Sequence, residues 1–202
     1  MSEELRIDKS EEIILGSGDL FITNFTGEIP DDATIEKDSN RAGNIKGGAT
    51  LEYSMESQTV QDDKGRVKKT IITKETVLFK TGLITWIKNW IKALVQTARI
   101  DETSKAGHRL FKLGGLSNVN KERWLYRFVH TRDDGRKLRV TVTGKNTGTI
   151  SMAFQPEDAT TVDAEITADT LDKEGTLVIL DDELPADDTG TTDTGTTDTG
   201  DA

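Results

Sequence analysis

The chain has 202 residues, no cysteine and a formal net charge of −10, enough for one domain with appendages and a real hydrophobic core. Without a thiol, disulfide frameworks, cysteine nucleophiles and Cys-ligated zinc or iron–sulfur sites are excluded. No apolar run approaches the ~20 residues that cross a bilayer, and the charged start MSEELRIDKSEE lacks the basic and apolar regions of a signal peptide; we expect no membrane segment and synthesis in a cytoplasm.

The charge is unevenly placed. Asp181, Asp182, Glu183, Asp187, Asp188, Asp193, Asp198 and Asp201 lie beyond residue 180 with no Lys or Arg among them, which leaves 26 basic residues against 28 acidic ones in the body. A nearly neutral body shows no general basic excess of the kind that grips nucleic-acid phosphates. The stretch DTGTTDTGTTDTGDA repeats every five residues and has no large apolar side chain to bury. It cannot offset its ordering entropy and is expected to be disordered. We therefore expect an N-terminal arm over 1–17, a folded domain over 18–184 and an acidic tail over 185–202.

In chain order, GDLFITNF (18–25) has the β-branched and aromatic content of a strand. Residues 26–48 carry Pro30 and four glycines and read as a long loop or arm. From Ala49 to Phe79 we expect two long strands joined by a turn at Asp62–Arg66. Leu51, Tyr53 and Met55 alternate with Glu52, Ser54 and Glu56, which puts the first three toward a core and the second three on the opposite face. Such strands exceed the usual length and would project from a small domain. An amphipathic helix is expected over 85–98, with Trp86, Trp90 and Leu94 on its apolar stripe. Strands are expected again over 109–113, 123–131, 137–143, 149–154, 161–168 and 175–180, with a hairpin at Asp133-Asp134-Gly135. The sum is mainly β: an antiparallel sandwich or barrel with one flanking helix, a long projecting hairpin and a disordered C-terminal tail.

No catalytic constellation emerges. His108 and His130 each lack a second histidine at ligand spacing. The four Asp-Asp pairs fall in expected turns, loops or the tail, where Asp supports turn geometry and solvation. There is no phosphate-binding glycine loop and no EF-hand loop. Trp124, Tyr126 and Phe128 alternate with Arg123, Leu125 and Arg127; an aromatic row facing a core or a boundary is favoured over a nucleic-acid stacking platform. We expect no enzyme, cofactor or metal, and a structural subunit whose over-long strands require partners.

The succession GDLFITNFTGEIPDD, NRAGNIKGGATLEYS, VQDDKGRVKKTIITKETVLFKTGLITW, WLYRFVHTRDDGRKLRVTVTGKNTGTISMAF and VDAEITADTLDKEGTLVIL resembles the major tail (tail tube) proteins of long-tailed, siphophage-type phages of Gram-positive bacteria. The resemblance spans roughly Leu15 to Leu180. It implies hexameric rings stacked into a hollow tube within a virion. It also implies self-association, contact with tape-measure and tail terminator or tip proteins, and transient passage of double-stranded DNA. On that reading Glu52, Ser54 and Glu56 are candidates for the lumen. Asp32, Asn40, Asp62, Asp63, Lys64 and Arg66 are candidates for contacts between subunits or rings. A tube subunit of a contractile tail or phage-tail-like bacteriocin is a near neighbour of this reading. A β-sandwich carbohydrate-binding or adhesin module is the alternative from a different class, and its aromatics would be exposed.

Overall fold

The computed structural model describes residues 18–43, 45–61, 64, 66, 68–83, 90–150 and 162–184. The expectations for the N-terminal arm, the acidic tail, Trp86, Asp62 and Asp63 lie outside these residues. The chain is mainly β and its strand pairings are antiparallel. The strands are β1 (Asp19–Asn24), β2 (Arg41–Gly43), β3 (Ile45–Gln61), β4 (Lys68–Leu83), β5 (Arg99–Asp101), β6 (Leu110–Lys112), β7 (Trp124–Thr131), β8 (Lys137–Asn146), β9 (Val162–Asp169) and β10 (Val178–Asp182). Among the described residues, helical segments α1 (Asp32–Ile35) and α2 (Trp90–Leu94) and 3₁₀ turns at Asp38–Asn40 and Leu116–Asn118 complete the regular structure.

The main sheet runs β2-β1-β7-β8-β9-β4-β3, with β10 also on β8. Its two ends are one stretch of chain. Gly43 pairs with Leu20 of β1, while Ile45 pairs with Leu83 of β4. One residue separates Gly43 from Ile45, so their Cα atoms are at most ~7 Å apart; β1 and β4 must come together and the sheet curls into a barrel. Closure removes most of the edges an open sheet would expose. Side chains fill the interior, as a small barrel demands. Leu20, Ile22, Val77, Phe79, Leu83, Tyr126, Val142, Val162, Ala164 and Ile166 all join one buried cluster, to which α2 adds Trp90, Ile91, Ala93 and Leu94.

The last carbonyls of α2 are taken by side chains from outside the helix. Tyr126 Oη donates to Ala93 O at 3.0 Å, Asn146 Nδ2 to Leu94 O at 3.2 Å and Asn120 Nδ2 to Lys92 O at 3.3 Å. These satisfy acceptors that a helix C-terminus leaves open. The expected helix ran to Ala98; it ends at Leu94, and Arg99 already enters β5. Residues 149–150, expected to start a strand, lie outside any strand.

The partner of β8 changes along one edge. Leu138–Val142 pairs with β10 and Thr143–Asn146 with β9. At the change, a Cβ on Gly144 would lie 2.1 Å from Thr167 O, so only glycine allows this backbone approach. The β7–β8 turn is the one the sequence spells: Gly135 sits at φ 87° and its N–H donates to Arg132 O at 2.9 Å.

Residues 26–40 differ most from expectation. They form a strap across the outer face of β1 and β7, containing α1 and the first 3₁₀ turn. Ile35 is fully buried there against Phe21, Phe25, Leu125 and Val129, a second small core outside the barrel. The expected loop also ends early, because β3 begins at Ile45. The strand crosses a glycine-rich stretch without alternation, held by Ile45 against Leu83 and Ala49 against Thr81 on either side of a register shift, which is tertiary context overriding propensity.

Candidate functional site

The candidate site is the β3–β4 hairpin, because its geometry is not explained by the barrel it leaves. β4 pairs with β9 only over Leu78–Leu83, whereas its pairing with β3 continues to Lys68. Residues 52–61 and 68–75 are all exposed. Ten residues of strand at ~3.3 Å per residue make an arm roughly 33 Å long with two unpaired edges. Two-stranded ribbons of this kind are marginal in water by themselves.

Cross-strand pairs hold the register. Lys80 Nζ lies 2.8 Å from Glu52, Lys74 Nζ 3.1 Å from Glu56, and the Thr59 and Thr70 hydroxyls are 2.9 Å apart. Tyr53 Oη donates to Glu75 Oε1 at 2.5 Å, which raises the phenol's pKa above its ordinary value. The hydrogen bond to Glu52 likewise raises Lys80, against a smaller opposing effect of desolvation. Glu56 pairs with Lys74 but Ser57 with Ile72, so Thr73 is an extra residue, a β-bulge. Its hydroxyl donates to Glu56 O at 3.2 Å. A one-residue slip exchanges faces, and Ile72 thereby joins Met55 and Tyr53 while Ile71 joins Val60.

This arrangement corrects two core assignments. Tyr53 and Met55 lie on the core-side face, as alternation requires, but they are 51% and 56% exposed because the arm has left the barrel. Leu51, one step earlier, packs against the core, and Trp90 and Leu94 are buried in it. Exposed Val60, Ile71 and Ile72 carry the apolar surface further out. Sequence reasoning missed these three as a surface; the adjacent pair Ile71-Ile72 was the available signal, since neighbours on a strand face opposite ways.

Glu52, Ser54 and Glu56 share the other face, which continues the outside of the barrel. That face is not acidic. Lys80 and Lys74 neutralise the two carboxylates, and Lys69, opposite Val60, adds a further cation. Lys64 and Arg66 are exposed at the tip. Asp32 and Asn40 already have partners within the chain: Asp32 pairs with Arg127, and Asn40 Nδ2 donates to Thr34 O at 2.9 Å and Ile35 O at 3.2 Å.

The remaining chemistry is structural. Among the described residues no group of three His, Asp or Glu side chains is placed to hold a metal ion. His108 is exposed and His130 buried, and they lie on different elements. Asp134 accepts from the Arg136 backbone N–H at 2.9 Å within the β7–β8 turn, a hydrogen bond that, with the Arg136 side chain, lowers its pKa. Asp181 and Asp182 pair with Arg139 and Arg132. The aromatic row of β7 points into the barrel: Tyr126 is 1% exposed and burial pushes its phenol pKa up. Tyr53 is the one aromatic among the exposed large side chains of the described residues. No described helix is long and apolar enough to cross a membrane. The chain matches no known family model and no curated protein sequence.

Proposed function

We propose that the chain is a structural subunit that closes into rings and stacks into a hollow tube, of the kind that forms the long tails of phages of Gram-positive bacteria. The observation that supports this reading is the arm. It has two free edges and five exposed apolar side chains, Tyr53, Met55, Val60, Ile71 and Ile72. An isolated ribbon of this kind invites edge pairing, and head-to-tail pairing of arm to arm closes a ring when the rotation between subunits allows it. The function is then a surface and not a reaction. The face of Glu52, Ser54 and Glu56 lines the lumen, and the pairing of its glutamates with Lys80 and Lys74 leaves few free cations to hold DNA by counterion release. Tape-measure and terminator proteins are the partners such a tube requires. The exposed aromatic platform of a glycan-binding module has no counterpart among the described residues, which favours the tube over that alternative.

The test is light scattering during size-exclusion chromatography, with negative-stain electron microscopy of the concentrated chain. Rings or hollow tubes are the expected outcome. A chain that stays monomeric at the highest soluble concentration with its arm intact overturns the proposal. A tube map with Glu52 and Glu56 on the outer surface overturns the lumen assignment alone.

A further inference from the structure

The outer face of β7 and β8 carries a second feature, independent of the arm. Arg139 is nearly buried, with a side chain 7% exposed, and four carboxylates surround its guanidinium. Two come from the strap: Glu36 Oε1 lies 2.6 Å from Nε, and Asp32 Oδ2 3.8 Å from it. Two come from the far end of the chain: Glu183 Oε1 lies 2.7 Å from Nη2, and Asp181 Oδ2 3.3 Å from Nη1. The other cations nearby are Lys137, 2.6 Å from Glu36, and Arg127, which pairs with Asp32 and donates to Thr141 Oγ1 at 2.9 Å. Glu183 also accepts from the Lys137 backbone N–H at 2.9 Å. Asp182 points away to Arg132. Three cations therefore face four carboxylates, and the strap and β10 draw on the same guanidinium.

We infer that the strap and β10 compete electrostatically for Arg139, so that loosening either segment tightens the other. The sign follows from the charges. With β10 in place, two of the three positive charges are already matched when the strap's two carboxylates arrive. With Asp181 of β10 and the adjoining Glu183 neutralised, the strap meets all three cations and no repulsion from these two carboxylates. A bystander ion network would give the opposite sign, because β10 would simply help to bury and order Arg139. Each segment also has an apolar anchor that keeps it folded without the ions. Ile35 fills the outer small core, and Val178 packs against the barrel core. The arrangement is a seesaw between two segments about 150 residues apart in sequence, through which an event at the C-terminal strand is felt at the strap.

The test is hydrogen–deuterium exchange of the full chain, read by peptide. Asp181→Asn with Glu183→Gln preserves shape and removes charge. Relative to β7 peptides, strap amides of residues 32–40 should exchange about three- to tenfold more slowly than in the parent, a coupling in the range found within one ion network. The reciprocal pair, Asp32→Asn with Glu36→Gln, should slow exchange at residues 178–183, and raising salt should shrink both effects. Strap exchange that is faster or unchanged in the first variant overturns the inference. So does β10 exchange that is faster or unchanged in the second, which keeps the test decisive if one variant folds poorly.

Discussion

Replacing Met55 and Ile72 together by threonine separates assembly from folding. Both side chains lie on the core-side face of the arm beyond the barrel, 56% and 60% exposed, brought onto one face by the bulge at Thr73. Threonine keeps strand propensity and removes apolar surface. Fully burying a Met or Ile side chain contributes ~1.5–3 kcal/mol, and somewhat over half of each remains to be buried, so about 1 kcal/mol is at stake per residue. The pair then costs ~2 kcal/mol of association per arm, or about a 30-fold rise in the critical concentration for assembly. The assay is sedimentation of a dilution series, with the supernatant concentration as readout. Folding of the subunit should change little, within about 0.5 kcal/mol per site by urea titration, because exposed substitutions away from the core act weakly. An unchanged critical concentration refutes the reasoning that this face is covered in the assembly. A large loss of subunit stability refutes the claim that the arm stands clear of the core. The companion pair Val60→Thr and Ile71→Thr reads the opposite face.

Ile35→Ala should destabilise the chain by about 2–3 kcal/mol in urea titration, because Ile35 is fully buried in the outer small core and its loss leaves a cavity beneath the strap. Gly144→Ala should cost more than ~2 kcal/mol, since its Cβ would stand 2.1 Å from the Thr167 carbonyl oxygen and the strands must separate to admit it; a neutral outcome by thermal unfolding would contradict the β8–β9 register. Acid should loosen the outer face selectively. For Glu36, burial opposes ionisation, but hydrogen bonds from Lys137 and Arg139 more than offset it and hold the pKa below 4.5. Groups with depressed folded pKa values stabilise fully above the unfolded value and lose that contribution as pH falls through the folded one. Exchange protection at Ile35 should therefore hold at pH 6 and fall, before that of Tyr126, only once the pH drops below the ordinary carboxylate range; simultaneous loss of both would show that the network does not act locally.

Much of the fold was legible from local signals. Alternation placed Trp124, Tyr126 and Phe128 on one face of β7 and Leu125, Arg127 and Val129 on the other; the aromatics pack in the barrel, and Leu125 and Val129 in the outer small core. Asp133-Asp134-Gly135 spelled its hairpin because the turn needs positive φ at one position, which glycine adopts freely. The long hairpin was legible because alternation and a polar turn are local features. Sequence alone thus determined the strand-rich class, the faces of the strands and the presence of an over-long ribbon. Only the tertiary structure decided where that ribbon leaves the barrel, and so which alternating residues are core. Leu51 and Tyr53 have the same local pattern, yet Leu51 packs against the core and Tyr53 is half exposed. It also decided that Asp32 and Glu36 meet Arg127 and Arg139, across about 100 residues of chain, and that β2 and β3 close the sheet. Contacts between distant segments leave no periodic trace in the sequence. Burial depends on what covers a face, and local spacing reports only which way the face points.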